Sequence, residues 1–369
     1  MKISVERTAL LKAMSRAQGV VERRTTIPIL SNVLLEAEND RLVIRATDLD
    51  VETLESIPAM IEQAGAVTAP AHMLHEIVRK LPDGAQAGLS HDPGAGRLEV
   101  RAGRSDFKLA TLPKEDFPVM ASSEYAVTFA EKAPTLRRLF DKAKFAISTE
   151  ETRYYLNGVY MHVAEGATLR CVATDGHRLA RVDAALPEGA AEMPGVIVPR
   201  KTVGELRKIL EDDEAEVQVS VSETKVRFAS GDVALTSKVI DGSFPDYSRV
   251  IPAGNPNRME VDAAEFASAV DRVATVSAER ARAVKLALTE DRLVLSVNAP
   301  ESGAATEELA VAYGAEPMEI GFNAKYLLEI AGQVDRENAV FLFKASGDPT
   351  LVREGDDDSA IYVVMPMRV

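Results

Sequence analysis

The sequence carries little sulfur chemistry and little aromatic surface. One cysteine, Cys171, stands among 369 residues, so an intrachain disulfide is impossible and a Cys-rich metal site is excluded. Tryptophan is absent and aromatics make up 5% of the chain, which argues against a broad base-stacking platform. No run of 18 apolar residues occurs, so no transmembrane helix and no membrane partner are expected. The opening MKISVERTALLKAM puts charges where a secretory leader would have its apolar core, and a reducing, cytoplasmic setting fits. Positive charge is also in deficit: 43 Lys and Arg against 57 Asp and Glu leave a net −14. Taken alone, that argues against gripping nucleic acid by bulk attraction.

Motifs for small-molecule chemistry are missing too. There is no G-x-x-x-x-G-K-[ST] phosphate loop, and no G-x-G-x-x-G follows a strand. His72, His75 and Glu76 lie at helical spacing, but no cysteine or third ligand is near, so neither a metal nor a cofactor is expected. Asp175-Gly176-His177-Arg178 has the residue types of an active site. Yet Asp-Gly is a turn signal at the end of a strand, and no Ser or Cys nucleophile with an orienting partner accompanies it. A turn that presents His177 and Arg178 to a ligand is the better reading. A hydrolase or transferase using Asp175 and His177 is the enzymatic alternative, and a peptide-binding scaffold that never encloses DNA is another.

What the chain does contain is a threefold repeat. Segments 1–21, 125–148 and 257–277 each open with period-two alternation and pass into helical spacing. Segments 34–48, 159–175 and 284–298 read as hairpins with acidic or Gly-containing turns. Segments 64–84, 194–213 and 318–335 run from strand into helix. Pro70 and Pro199 suit the first helical turn there, and Asn323 suits an N-cap. Segments 96–113, 224–247 and 350–369 supply further strands. Four ordered elements recurring three times predict three α+β domains of antiparallel sheet with two helices each, over 1–124, 125–253 and 254–369. Similar domains packed in one sense trace an arc, and two arcs meeting head to tail would close a six-domain ring.

The helices hold the positive charge. Those predicted over 6–18, 70–81, 131–144 and 199–212 carry more Lys and Arg than Asp and Glu, while 262–273 is net negative and 323–333 is neutral. If they share a face, a basic stripe on an acidic body would suit a polyanion held in one place. Ordinary solvated helix faces would show the same counts. Two adjacent tyrosines, Tyr154 and Tyr155, would point to opposite sides if extended, one inward and one exposed. The end of the chain, 362–369, is apolar apart from Arg368, as expected of a tucked strand or a groove wall.

The segments IPILSNVLLEA (27–37), RYYLNGVY (153–160), VATDGHRLA (172–180), VIVPRK (196–201), FPDYSRVIP (244–252) and YVVMPMRV (362–369) together resemble the bacterial DNA polymerase III beta subunit family over the whole chain. The resemblance implies a DNA clamp fold: a head-to-tail homodimeric ring of six domains, helices lining the hole and sheets outside. It implies a non-catalytic processivity factor that slides on double-stranded DNA. DNA contacts map to Arg24, Tyr154, Tyr155, Lys201 and Arg282, and Glu150 stands where some relatives have a neutral polar contact.

A peptide pocket maps to Leu156, Thr174, Gly176, His177, Arg178, Leu179, Pro245, Arg249, Val250, Val363, Met365, Pro366, Met367 and Arg368. It would accept short apolar, Gln-containing motifs from replicative and translesion DNA polymerases, the clamp loader and mismatch-repair factors. His177 and Arg178 would fix the peptide backbone. The ring interface maps to Arg104, Phe107 and Leu109 against Val276, with Glu301 and Glu307 facing Arg97 and Arg104. Exposed ion pairs are each worth about 0–1 kcal/mol, so Phe107 and Leu109 are expected to matter more.

Overall fold

The computed structural model describes every residue except 93, 95, 122, 123, 277–282, 301 and 369. Among the described residues the α-helices are α1 (Arg7–Val20), α2 (Ala71–Lys80), α3 (Ala133–Lys144), α4 (Arg200–Leu206), α5 (Ala263–Ala274) and α6 (Ala324–Ala331). They fall where the periodicity places them, except that α4 ends six residues before the predicted limit of 212. Residues 207–211 continue as turns. Strands dominate, and all the described pairings are antiparallel.

The chain forms two compact units, one of residues 1–137 and 187–240, the other of 138–186 and 241–369. The first unit holds a five-stranded sheet in the order 60–63, 2–6, 86–92, 97–102, 105–110. Its larger sheet runs 127–132, 216–221, 225–230, 233–238, 51–58, 41–47, 32–38, 65–70. Strand 51–58, from the first repeat, pairs with 233–238, from the second, from Val51–Ser237 to Glu55–Val233. α1 packs on α2 and on strands 41–47 and 51–58, and Leu10 and Met14 are fully enclosed there.

The second unit has the same plan. Eight of its strands run 158–164, 168–174, 178–185, 357–364, 350–354, 338–343, 257–262, 312–313. Four more run 303–310, 292–299, 283–289, 318–323. Here 178–185, from the second repeat, pairs with 357–364, from the third. α5 packs on α6, and Phe266 meets Phe341 at 5.0 Å between ring centroids.

Two local expectations change. Pro70 and Pro199 are the last residues of their strands and stand just before α2 and α4, in extended conformation (ψ 112 and 148). Strand 65–70 is a sheet edge, where a missing N–H costs no ladder bond. Tyr154 and Tyr155 lie in a 3-10 turn over Glu151–Leu156 rather than in extended chain, so their rings meet edge to face at 5.8 Å. Neither ring is buried. Asn323 caps α6 as expected, accepting from the Lys325 N–H at 2.9 Å.

Candidate functional site

The turn between strands 168–174 and 178–185 is fixed by its own side chains. Asp175 Oδ1 accepts the His177 and Arg178 N–H groups at 2.9 and 3.0 Å. Thr174 Oγ1 accepts from the Gly176 N–H and donates to the Arg178 carbonyl at 2.7 Å. Gly176 takes φ +88, which a side chain would resist. The carboxylate is therefore spent on backbone geometry and is not aimed at a substrate.

The same turn sends its two basic residues opposite ways. His177 is exposed, while Arg178 is buried. Arg178 Nε donates to Asp175 Oδ2 at 3.1 Å, one terminal nitrogen pairs with Glu329 of α6, and the other donates to the Phe145 carbonyl at 2.6 Å. Its guanidinium lies 4.4 Å from the Tyr326 ring centroid and 5.1 Å from that of Phe145. This differs from the expectation that Arg178 fixes a peptide backbone: its charge is neutralised and its planar faces are covered from within the unit.

Around that turn the expected pocket residues separate into floor and rim. Leu156, Thr174, Leu179 and Val363 are buried. Leu179 and Val363 form one apolar cluster with Val172, against which Phe244, Tyr247, Ile251 and Leu351 pack. Val250, Met365 and Met367 are 50%, 40% and 36% exposed, and Pro245, Arg249 and Arg368 are exposed as well. Arg249 Nε pairs with Asp246 at 2.8 Å. The final segment is tied at two points: the Met365 N–H donates to the His177 carbonyl and the Met367 N–H to the Gly321 carbonyl, both at 2.9 Å. The end of the chain is thus both a buried strand, through Val364, and an exposed wall beyond it. Flexible thioethers over a rigid floor adapt to varied apolar side chains.

A cleft of about 930 Å³ adjoins this wall, lined by Pro366, Met367 and Arg368 together with Lys285, Asn298 and Glu319. Its polar lining was not singled out from the sequence, because those residues are the ordinary outward positions of strands and carry no motif.

The nucleic-acid candidates are less uniform. Arg24 is exposed in the turn after α1, and Tyr154 is 54% exposed. Lys201 is only partly exposed, and its ammonium donates to the Val20 carbonyl at 2.7 Å and to Asp48 at 2.5 Å. Arg282 lies outside the described residues. The helical cations are largely engaged. Arg16 is buried, bonded to Glu55 at 2.8 Å and to the Lys208 carbonyl at 3.0 Å. Lys142 is buried against Glu354 and the Gln333 carbonyl. Arg7, Arg79, Arg137, Lys144 and Lys208 each face a carboxylate. Counting charges along the helices therefore overstated the basic surface.

The interface candidates lie on sheet edges. Strand 105–110 ends the five-stranded sheet and strand 303–310 ends the four-stranded one. Phe107 is half-buried beside Met73, Ile77, Leu81 and Pro82 in a recess of about 250 Å³. Leu109, expected to anchor the interface with Phe107, is 4% exposed; opposite Leu98 it belongs to its own sheet's core. Arg104 is exposed in the turn before that strand, and Val276 is half-buried after α5. Glu307 is taken by Arg272, at 3.0 Å from its Nε, and that pairing holds the Glu307 carboxyl below its usual range. Glu301 lies outside the described residues.

Three family models cover the chain. They are the N-terminal, central and C-terminal domains of the DNA polymerase III beta subunit, matching residues 1–121, 132–246 and 248–368. The chain belongs to the DNA polymerase III beta subunit family. The beta sliding clamp of Caulobacter vibrioides is 55% identical over 372 residues, and that of Escherichia coli K12 is 38% identical over 373, each covering 100% of both chains. A crystal structure of the Bartonella birtlesii sliding clamp bound to griselimycin matches at TM-score 0.96 and 50% identity, with full coverage of both chains. The Caulobacter crescentus clamp matches at TM-score 0.93 and 55% identity, again over both whole chains. As a member of this family the chain has the three-domain clamp fold and serves as the sliding-clamp processivity factor of DNA polymerase III. It is a non-catalytic subunit, and DNA and a polymerase are its partners. Among the described residues no helix is long and apolar enough to cross a membrane.

Proposed function

We propose that two copies of this chain close head to tail into a ring around duplex DNA, and that the pocket beside His177 tethers its partners to that ring. The domains would be 1–124, 125–253 and 254–369. The observation that carries the tethering is the exposed apolar rim of Val250, Met365 and Met367 over the buried floor of Leu179 and Val363. A surface of that kind suits many peptides of one type rather than one partner. Short apolar, Gln-containing segments of replicative and translesion polymerases, the clamp loader and mismatch-repair factors are its expected ligands.

Ring closure is supported by the outer edges of strands 105–110 and 303–310, which have no strand neighbour among the described residues. Such edges invite pairing with another chain. Arg24, Tyr154, Tyr155, Lys201 and Arg282 are the proposed DNA contacts. Phosphate contacts of this sort carry no sequence information, as sliding requires. The test is solution mass with small-angle scattering at micromolar concentration, followed by calorimetry with a Gln- and Leu-containing peptide. A mass near twice 39.9 kDa with a central hole is expected, and Met367→Ala with His177→Ala is expected to remove peptide binding without changing that mass. A compact monomer would remove the ring, and unchanged peptide affinity would remove the pocket.

A further inference from the structure

One polar network in the second unit belongs to none of the sites above. Strand register places Tyr160, His162, Arg170, Val172, Leu179, Arg181, Asp183 and Val363 on a single sheet face. Phe244, Tyr247 and Ile251, from the segment that carries Val250, pack on that face. Phe244 stacks on Tyr160 at 5.0 Å, and Tyr160 stacks on His162 at 4.6 Å. Tyr247 joins His162 through its hydroxyl, 2.9 Å from Nε2, and the same hydroxyl is 3.3 Å from Arg170. Arg170 is held in turn by both oxygens of Asp183 at 2.7 Å.

The directions of these bonds are fixed by their ends. His162 Nδ1 is 2.9 Å from the Val163 carbonyl, which can only accept, so Nδ1 carries the proton and Nε2 is an acceptor. Arg170 can only donate, so the Tyr247 oxygen accepts from it and its own proton goes to His162 Nε2. The relay therefore needs a neutral imidazole. A second proton on His162 would point Nε2–H at the Tyr247 oxygen, strand the hydroxyl proton and set a cation beside Arg170. The charged groups facing the imidazole are Arg170 and Asp183, with Arg181 ion-paired to Asp183 beyond them at 3.6 Å.

We propose that Tyr247 and His162 are positioning residues for the peptide pocket: their hydrogen bond holds the segment that carries Pro245, Arg249 and Val250 against the pocket floor. The inference rests on the pocket reading above and adds a control to it. Peptide capture and protonation of His162 are then opposed, and each weakens the other by the same factor. Burial already holds the His162 imidazole below its ordinary value, so the relay is intact at neutral pH.

The test uses the full chain labelled with [¹³Cε1]-histidine, with the His162 resonance assigned through His162→Gln. The probe is a fluorescein-labelled Gln- and Leu-containing peptide. In the parent chain, saturating peptide is expected to move the His162 titration to lower pH. Tyr247→Phe keeps the ring but removes the hydroxyl. It is expected to weaken the peptide about tenfold, as for a partly buried donor and acceptor left without partners, and to abolish the peptide-induced shift. His162→Gln retains an acceptor for the hydroxyl, so it is expected to keep neutral-pH affinity and to lose less of it in acid than the parent chain does. A peptide that binds while leaving the His162 titration unmoved would overturn the proposal. So would a Tyr247→Phe chain with parental affinity. Binding that survives Met367→Ala with His177→Ala would instead overturn the pocket itself.

Discussion

Replacing Arg178 by alanine separates two roles that its position in the pocket motif merges. The side chain is 6% exposed and its charge is met by Asp175, at 17%, and Glu329, at 32%. Removing one partner of a buried pair costs about 3–5 kcal/mol. Glu329, a third exposed, recovers part of that by rehydration, which puts the loss at the lower end of the range. The ring contacts with Tyr326 and Phe145 add about 1 kcal/mol, and the Phe145 carbonyl is left without its donor. A net loss of about 4 kcal/mol follows. In urea that lowers the unfolding midpoint by about 1 M. A double-mutant cycle with Glu329→Gln, read from urea unfolding, should show coupling of about 1–3 kcal/mol. Peptide affinity falls too, because the turn that presents His177 relaxes. An Arg178→Ala chain that unfolds at the parental midpoint yet loses the peptide would refute the reasoning, since the guanidinium would then be meeting the ligand rather than bracing the turn.

Phe107 and Leu109 should part company. Leu109→Ala is expected to cost the folded chain about 2–4 kcal/mol in thermal unfolding, as core truncations do, whereas Phe107→Ala is expected to weaken the proposed dimer about tenfold in sedimentation with little loss of chain stability; Leu109→Ala dissociating the dimer at parental stability would contradict this. His75 is buried against Ser15 and Gln18, at 3.2 and 3.3 Å, and burial lowers its pKa from 6.5. The neutral ring is the favoured folded form, so its contribution is fully present above pH 6.5 and is lost as pH falls through the folded value. His91 and His162 shift the same way. Thermal stability should therefore fall from pH 7.5 towards 5, less steeply in His75→Gln, and a flat parental profile would count against it.

The sequence was informative wherever a pattern repeats along a line. Period-two runs and helical spacing located the hairpins and helices because burial alternates at those periods. The Asp-Gly turn was legible because its geometry is written in neighbouring residues. What the sequence hid depends on strand pairing at a distance. Strands 51–58 and 233–238 join two repeats into one sheet, so the compact units cut across the repeat borders. The same limit applies to side chains. Nothing local distinguishes Arg178, turned inward to Glu329, from His177 beside it. Nor does spacing reveal that Leu109 faces Leu98 while Phe107 keeps an open side. The His162–Tyr247 bond spans 85 positions in the chain, and neither residue stands out by type.

The acidic total and the engaged cations bear on one question. Binding by attraction gains from each phosphate that releases its counterions. Arg16 and Lys142 are already committed to carboxylates and carbonyls inside their own units. To meet a phosphate, each would have to give up a partner that is itself partly buried. A chain that depended on attraction would be poorly served by cations placed this way. A chain that holds DNA by closing around it needs few contacts, and tight ones would oppose sliding. The same residues serve such a chain better as internal struts, where they keep the helices and sheets in fixed register while the duplex moves past them.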